Sequence, residues 1–169
     1  MVIDSNKLIF IHINRTAGTS IERFFNQKPK NKHWVLQQYA NKYDLTKYTT
    51  FTIVRNPFDR FVSMYEFRRE RHDEKRSFEA FARKPSGFKK PMVDWLRIDG
   101  EIAVDMVLKF ETLKSDFKAM CDTLNISKGI LPHKFKTTRT SYKNYYTDET
   151  KQIVQEMYKE DLFIFEYDF

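Results

Sequence analysis

The stretch from Leu8 to Phe25 constrains this chain more than any other. Leu8-Ile9-Phe10-Ile11-His12-Ile13 is a short apolar run rich in β-branched and aromatic residues, and it reads as a buried strand. Ile21, Phe24 and Phe25 then recur at helical spacing and read as one face of a helix's first turns. Between the two lies Asn14-Arg15-Thr16-Ala17-Gly18-Thr19-Ser20, a hydroxyl-rich turn with one glycine and one arginine. A turn leading from a strand into a helix N-terminus favours anions. The first helical N–H groups lack carbonyl partners, and the helix dipole is positive there. Thr16, Thr19 and Ser20 add hydroxyl donors, and Arg15 adds a fixed charge. The group that suits such a loop is a phosphate. The spacing is not that of a nucleoside-triphosphatase loop, which needs a second glycine and a lysine before the Ser/Thr. A strand–turn–helix without a ligand is the other reading of the same residues.

A second stretch repeats the pattern. Phe51-Thr52-Ile53-Val54 reads as a buried strand, Asn56 as a helix cap and Pro57 as a first-turn residue. Ser63 follows Arg55 at a spacing that lets both side chains meet one anion beside the helix. Arg60, further along the same helix, suits a structural ion pair better than a ligand contact. Two anion sites, each at a strand end followed by a helix, suit a nucleotide phosphorylated at both ends of one ribose. Such pairs sit at the carboxyl edge of a parallel sheet.

Length and charge narrow the choices without settling them. The 169 residues suffice for one domain, residues 1–169, with a substantial core. A net charge of +7 fits an anionic partner but does not choose among a nucleotide, a polyanionic glycan and nucleic acid. The single cysteine, Cys121, rules out an internal disulfide and reads as core. Asp4 and His12 bracket the first apolar run too closely for a secretory leader, and no apolar stretch is long enough to span a bilayer. A cytoplasmic protein is the expectation.

The rest of the chain reads as scaffold and loops. His33 stands at the start of a short helix over 33–40. It reads either as a structural histidine or as a general base suited to neutral pH. The mixed charges of 66–76 continue the helix after Pro57 as a solvated face. A short amphipathic helix over 78–83 ends in a polar loop. Asp99-Gly100 forms a turn, 102–110 gives a third strand, and a helix runs from Glu111 to about Leu124. Leu131-Pro132-His133 opens a basic loop holding Lys134, Lys136, Arg139 and Lys143, and 148–158 is a helix. The aromatic tail 163–169 is expected to pack on the core. No spaced His/Cys/Asp cluster suggests a metal site.

The two stretches together resemble a known family. His12-Ile13-Asn14-Arg15-Thr16-Ala17-Gly18-Thr19-Ser20 is similar to the HIPKTAGTS signature of sulfotransferases that use 3′-phosphoadenosine 5′-phosphosulfate, in particular their carbohydrate branch. Asn14 replaces the usual proline and Arg15 the usual lysine. Arg55, Asn56, Pro57, Arg60, Ser63 and Tyr65 resemble that family's RNPxxRxxSxY signature. The resemblance extends to Phe110-Glu111-Thr112-Leu113 and to the aromatic close of the chain.

The resemblance implies a three-layer α/β, P-loop-like fold with a central parallel sheet of four or five strands flanked by helices. It implies that Arg15, Thr16, Ala17, Gly18, Thr19 and Ser20 grip the 5′-phosphosulfate, that Arg55 and Ser63 bind the 3′-phosphate, and that the loop bearing Arg139 closes over the nucleotide. It assigns His33 to the acceptor proton and Arg15 to the leaving group. The donor would be 3′-phosphoadenosine 5′-phosphosulfate, the product adenosine 3′,5′-bisphosphate and the partner a hydroxyl acceptor, a glycan by branch, with no metal, no nucleic acid and no membrane segment. Two rivals stay open on the residues alone: a nucleotide kinase or nucleoside-triphosphatase, and a non-catalytic polyanion binder.

Overall fold

The computed structural model describes residues 1–87, 89–126, 131 and 140–169, arranged in two compact units. The first unit, Met1–Val54 and Met92–Lys136, is built on a four-stranded sheet of β1 (Val2–Ile3), β2 (Leu8–Ile11), β3 (Thr49–Val54) and β6 (Met106–Lys109), in the order β1-β2-β3-β6. β2, β3 and β6 are parallel. β1 is antiparallel to β2, so the sheet is mostly rather than wholly parallel. This departure follows from chain length, because only a single turn at Asp4–Asn6 separates β1 from β2. A parallel pairing would need a crossover.

Register and pleat divide the sheet's side chains. Leu8 and Phe10, Phe51 and Ile53, and Leu108 share one face and form a core with Ile21 of α1 (Gly18–Phe24) and with Phe117, Met120 and Cys121 of α5 (Leu113–Thr123). Ile9, Ile11, Thr52 and Val54 on the other face are fully buried as well. Burial of both faces is what a parallel sheet flanked by helices requires. Asp105 fastens the start of β3 by accepting from the Thr50 N–H and Oγ1, both at 2.7 Å.

The expected third strand over 102–110 is shorter and split. β4 (Arg97–Ile98) and β5 (Glu101–Ile102) form a separate hairpin across Asp99-Gly100. Both turn residues have positive φ, 50° and 95°, as a two-residue hairpin turn demands. The expected helix over 33–40 begins only at Leu36, as α2 (Leu36–Ala40), which leaves His33 in the preceding turn.

The second unit, Arg55–Pro91 and Thr137–Phe169, is helical and aromatic. α3 (Pro57–His72), α4 (Phe78–Arg83) and α6 (Asp148–Met157) contribute Phe58, Phe61, Val62, Phe78, Phe81 and Val154 to one core. Its rings meet edge to face, as Phe78 and Tyr146 do at 4.9 Å and 80°. The tail departs from expectation. Residues 159–164 form α7 (Lys159–Ile164), and Phe163 is 82% exposed, because helical spacing turns it away from buried Asp161 and Phe165. Phe169 does pack, against Phe58. No helix among the described residues is long and apolar enough to cross a membrane.

Phe51 sits fully buried at the centre of the first unit's sheet. Phe51→Ala is expected to lower unfolding free energy by about 3–5 kcal/mol, the range for deleting a core aromatic, as read by urea denaturation.

Candidate functional site: the 14–20 loop and His33

β2 ends at Ile11, and β3 ends at Val54 on the same, carboxyl edge of the sheet. The chain then turns through 12–17 into α1. Arg15 and Ala17 both adopt left-handed backbone angles, φ 65° and 68°. Such angles cost a non-glycine residue energy, and they persist only where surrounding contacts impose them. Thr16 between them is fully buried, and its Oγ1 donates to the Ile13 carbonyl at 2.9 Å. The Thr16 hydroxyl is thus engaged within the turn. The Ser20 N–H donates to the Ala17 carbonyl at 2.8 Å, which closes the first turn. Ala17 caps α1 without a side-chain acceptor, whereas Asn56 caps α3, Ser77 caps α4 and Thr147 caps α6.

Gly18 is glycine for space rather than for backbone freedom. A Cβ there would lie 2.0 Å from His12 Nε2 and 2.1 Å from Cδ2, so the imidazole occupies the volume a side chain would need. His12 is buried, stacked on Phe10 with centroids 5.5 Å apart, and its Nδ1 lies 2.8 Å from Glu22 Oε1. That approach is not aligned as a hydrogen bond, so it counts as a close polar contact. Lys32 completes the group, with Nζ 2.9 Å from Glu22 Oε1 and 3.0 Å from Oε2. Burial alone would raise the Glu22 carboxyl, but the contacts from His12 and Lys32 outweigh it and hold the group down to about 2. Burial pushes the His12 imidazole below its ordinary value against the pull of Glu22, which favours the neutral ring.

His33 joins this group. Its Nδ1 is 3.2 Å from the His12 carbonyl oxygen, its ring is 5.1 Å from the His12 ring, and Trp95 meets it edge-on at 6.0 Å. A carbonyl only accepts, so the bond puts the proton on Nδ1 and makes Nε2 the basic nitrogen. His33 and the 14–20 loop are thus tied to one residue, His12, by its backbone on one side and its ring on the other.

In the second unit Arg55 is buried, and its Nε and Nη2 both reach Asp59 Oδ2, at 2.8 and 2.6 Å. Ser63, also buried, lies one turn beyond Asp59 on the same face of α3. Asn56 caps α3 through Phe58 N–H at 3.0 Å, as expected, and donates to the Asp168 carbonyl at 2.7 Å. Arg60 is buried and donates to the Lys90 carbonyl from both terminal nitrogens, at 3.2 and 3.1 Å. Arg139 and most of the basic loop lie outside the described residues.

Sequence reasoning missed His12, Glu22, Lys32 and Asp59. The i, i+4 spacing of Arg55 and Asp59 was a readable signal. The polar His12 inside the apolar run 8–13 was another. Nothing local pointed to Glu22.

Gly18→Ala is expected to cost about 1–3 kcal/mol, the scale of forced overpacking, because the new methyl displaces His12. In a His12→Ala background the same change is expected to cost distinctly less, since residues in contact do not add. Chemical denaturation of the four proteins of this cycle measures the coupling, and strictly additive losses would disprove the contact's role.

The comparisons with known proteins agree with the resemblance the motifs carry. The model of the sulfotransferase family matches residues 1–168, which takes in both units. No curated protein and no solved structure matches. With a match running over nearly every residue, the chain belongs to the sulfotransferase family.

Proposed function

We propose that this chain transfers a sulfuryl group from 3′-phosphoadenosine 5′-phosphosulfate to a hydroxyl of an acceptor, a carbohydrate by the branch its motifs resemble. The observation that carries the reading is the bond between His33 Nδ1 and the His12 carbonyl, which leaves a basic Nε2 on a residue anchored to the Gly18 loop. Family membership supplies the reaction class.

In this reading Arg15, Ala17, Gly18, Thr19 and Ser20 hold the phosphosulfate end of the donor. Support comes from the left-handed turn and from a helix start without a side-chain cap, features that favour anions. His33 Nε2 takes the proton from the acceptor hydroxyl. The acceptor oxygen forms its bond to sulfur as the bond from sulfur to the bridging phosphate oxygen breaks. Adenosine 3′,5′-bisphosphate leaves with that electron pair. Arg15 offsets the charge developing on the bridging oxygen, as positioned cations do in phosphoryl transfer. A guanidinium is broader than the family's ammonium and engages two oxygens at once, so Arg15 centres less charge on the single leaving oxygen. Motif matching alone assigns the 3′-phosphate to Arg55 and Ser63, with Asp59 fixing the plane of the guanidinium. Arg139 is assigned to the nucleotide on the same ground.

Calorimetry tests the donor assignment: adenosine 3′,5′-bisphosphate is expected to bind more tightly than AMP or ATP, and equal affinities would remove its basis. Transfer from labelled donor to glycan, phenol and peptide acceptors tests the reaction and its acceptor class. His33→Ala is expected to keep bisphosphate affinity and lose transfer by roughly 10²–10⁴-fold, the usual share of a general base. Arg15→Ala is expected to lower turnover much more than bisphosphate affinity, and Arg15→Lys to keep or raise turnover. Unchanged transfer in His33→Ala would assign His33 to the scaffold.

A further inference from the structure

Glu22 has no part in the proposed chemistry, yet it is a charged group almost wholly removed from water, with 10% of its side chain exposed. A buried carboxylate is costly unless paired. Its partners are His12 and Lys32, and both lead to the same place. His12 offers its carbonyl to His33 Nδ1, and Lys32 is the residue before His33. The chain from 25 to 35, between α1 and α2, has no strand and no helix to hold it. A turn spans His33, with the Trp34 N–H on the Asn31 carbonyl at 3.3 Å, and side-chain contacts fix where that turn lies against α1. Glu22 grips that segment from the rigid side, since its own backbone lies inside α1 one turn beyond Gly18.

We propose that Glu22 is a positioning residue for His33: through His12 on one side and Lys32 on the other it fastens the 31–35 segment to α1 and the 14–20 loop. This rests on reading His33 as the acceptor-side base. Glu22 touches neither donor nor acceptor. It governs where Nε2 lies and which nitrogen carries the proton. Lys32 is correspondingly a tether, and its charge is committed to Glu22.

The test uses the full chain with Lys32→Met, Lys32→Arg and Glu22→Gln. Lys32 is the chief probe because its side chain is 42% exposed, so its replacement leaves the core intact. Lys32→Met is expected to lower kcat by roughly 10–10²-fold, the scale for misplacing a reacting group by up to an ångström, with donor KM and bisphosphate affinity unchanged. Lys32→Arg, which keeps the ion pair, is expected to recover most of that loss, and Glu22→Gln to resemble Lys32→Met. Nitrogen NMR of the imidazoles gives a readout independent of activity. The parent is expected to show neutral His33 protonated at Nδ1, and Lys32→Met and Glu22→Gln to show the two tautomers averaged. Unchanged kcat in Lys32→Met, or an unchanged His33 tautomer in both variants, overturns the proposal, as does a loss confined to thermal stability. A parent that transfers sulfate to no acceptor defeats the functional reading instead, and the tautomer comparison still decides whether Glu22 positions His33.

Discussion

The contact between the His12 ring and the α-carbon of Gly18 is the constraint on which the rest of the loop depends. An imidazole seated where a Cβ would stand allows only glycine at position 18, and it sets how closely the start of α1 approaches the end of β2. With the ring held there by Phe10 below it, Nδ1 faces Glu22 one turn along the helix. The carbonyl of the same residue is left for His33. The two non-glycine residues with left-handed angles, Arg15 and Ala17, take up the sharp change of direction that this close approach demands. The glycine of the loop thus serves space, while residues that bear side chains carry the strained angles.

The second motif divides its labour differently. Asn56 and Arg60, which look like binding residues in a signature, are occupied with scaffold. One caps α3 and ties down the Asp168 carbonyl, and the other is buried against Lys90. Burial lowers the Arg60 guanidinium from its ordinary value, with Tyr158 and Asp161 acting in opposition. Arg55 meets Asp59 through two nitrogens on one oxygen, an arrangement that fixes the plane of the guanidinium. A signature of this kind mixes groups that face ligand with groups that keep those groups in place, and residue type alone does not separate them.

Most of the scaffold was legible because it is local. The strands within the apolar runs 8–13 and 51–54, the Asn56 cap with Pro57 behind it, the Asp99-Gly100 turn and the 78–83 helix all follow from spacing and turn chemistry within a few residues. The misreadings are also physical. β1 pairs antiparallel because two residues and a single turn of chain permit nothing else. Phe163 is exposed because the tail continues as a helix, in which alternate aromatic residues cannot all face inward.

By itself the sequence determined that a strand would hand a hydroxyl-rich turn to a helix start, that a second strand and capped helix would follow, and that the family would be readable from both. Those features depend on residues that are neighbours in the chain. Only the tertiary structure decided which polar residues face outward and which are consumed. It engages the Thr16 hydroxyl inside the turn, sets Asp59 on Arg55, and gathers His12, Glu22, Lys32 and His33 from three segments into one group. Glu22 meets Lys32 across 10 positions, and His33 meets His12 across 21. Contacts of that range are set by where the packing of α1 on the sheet brings the segments together, and no spacing rule along the chain encodes it.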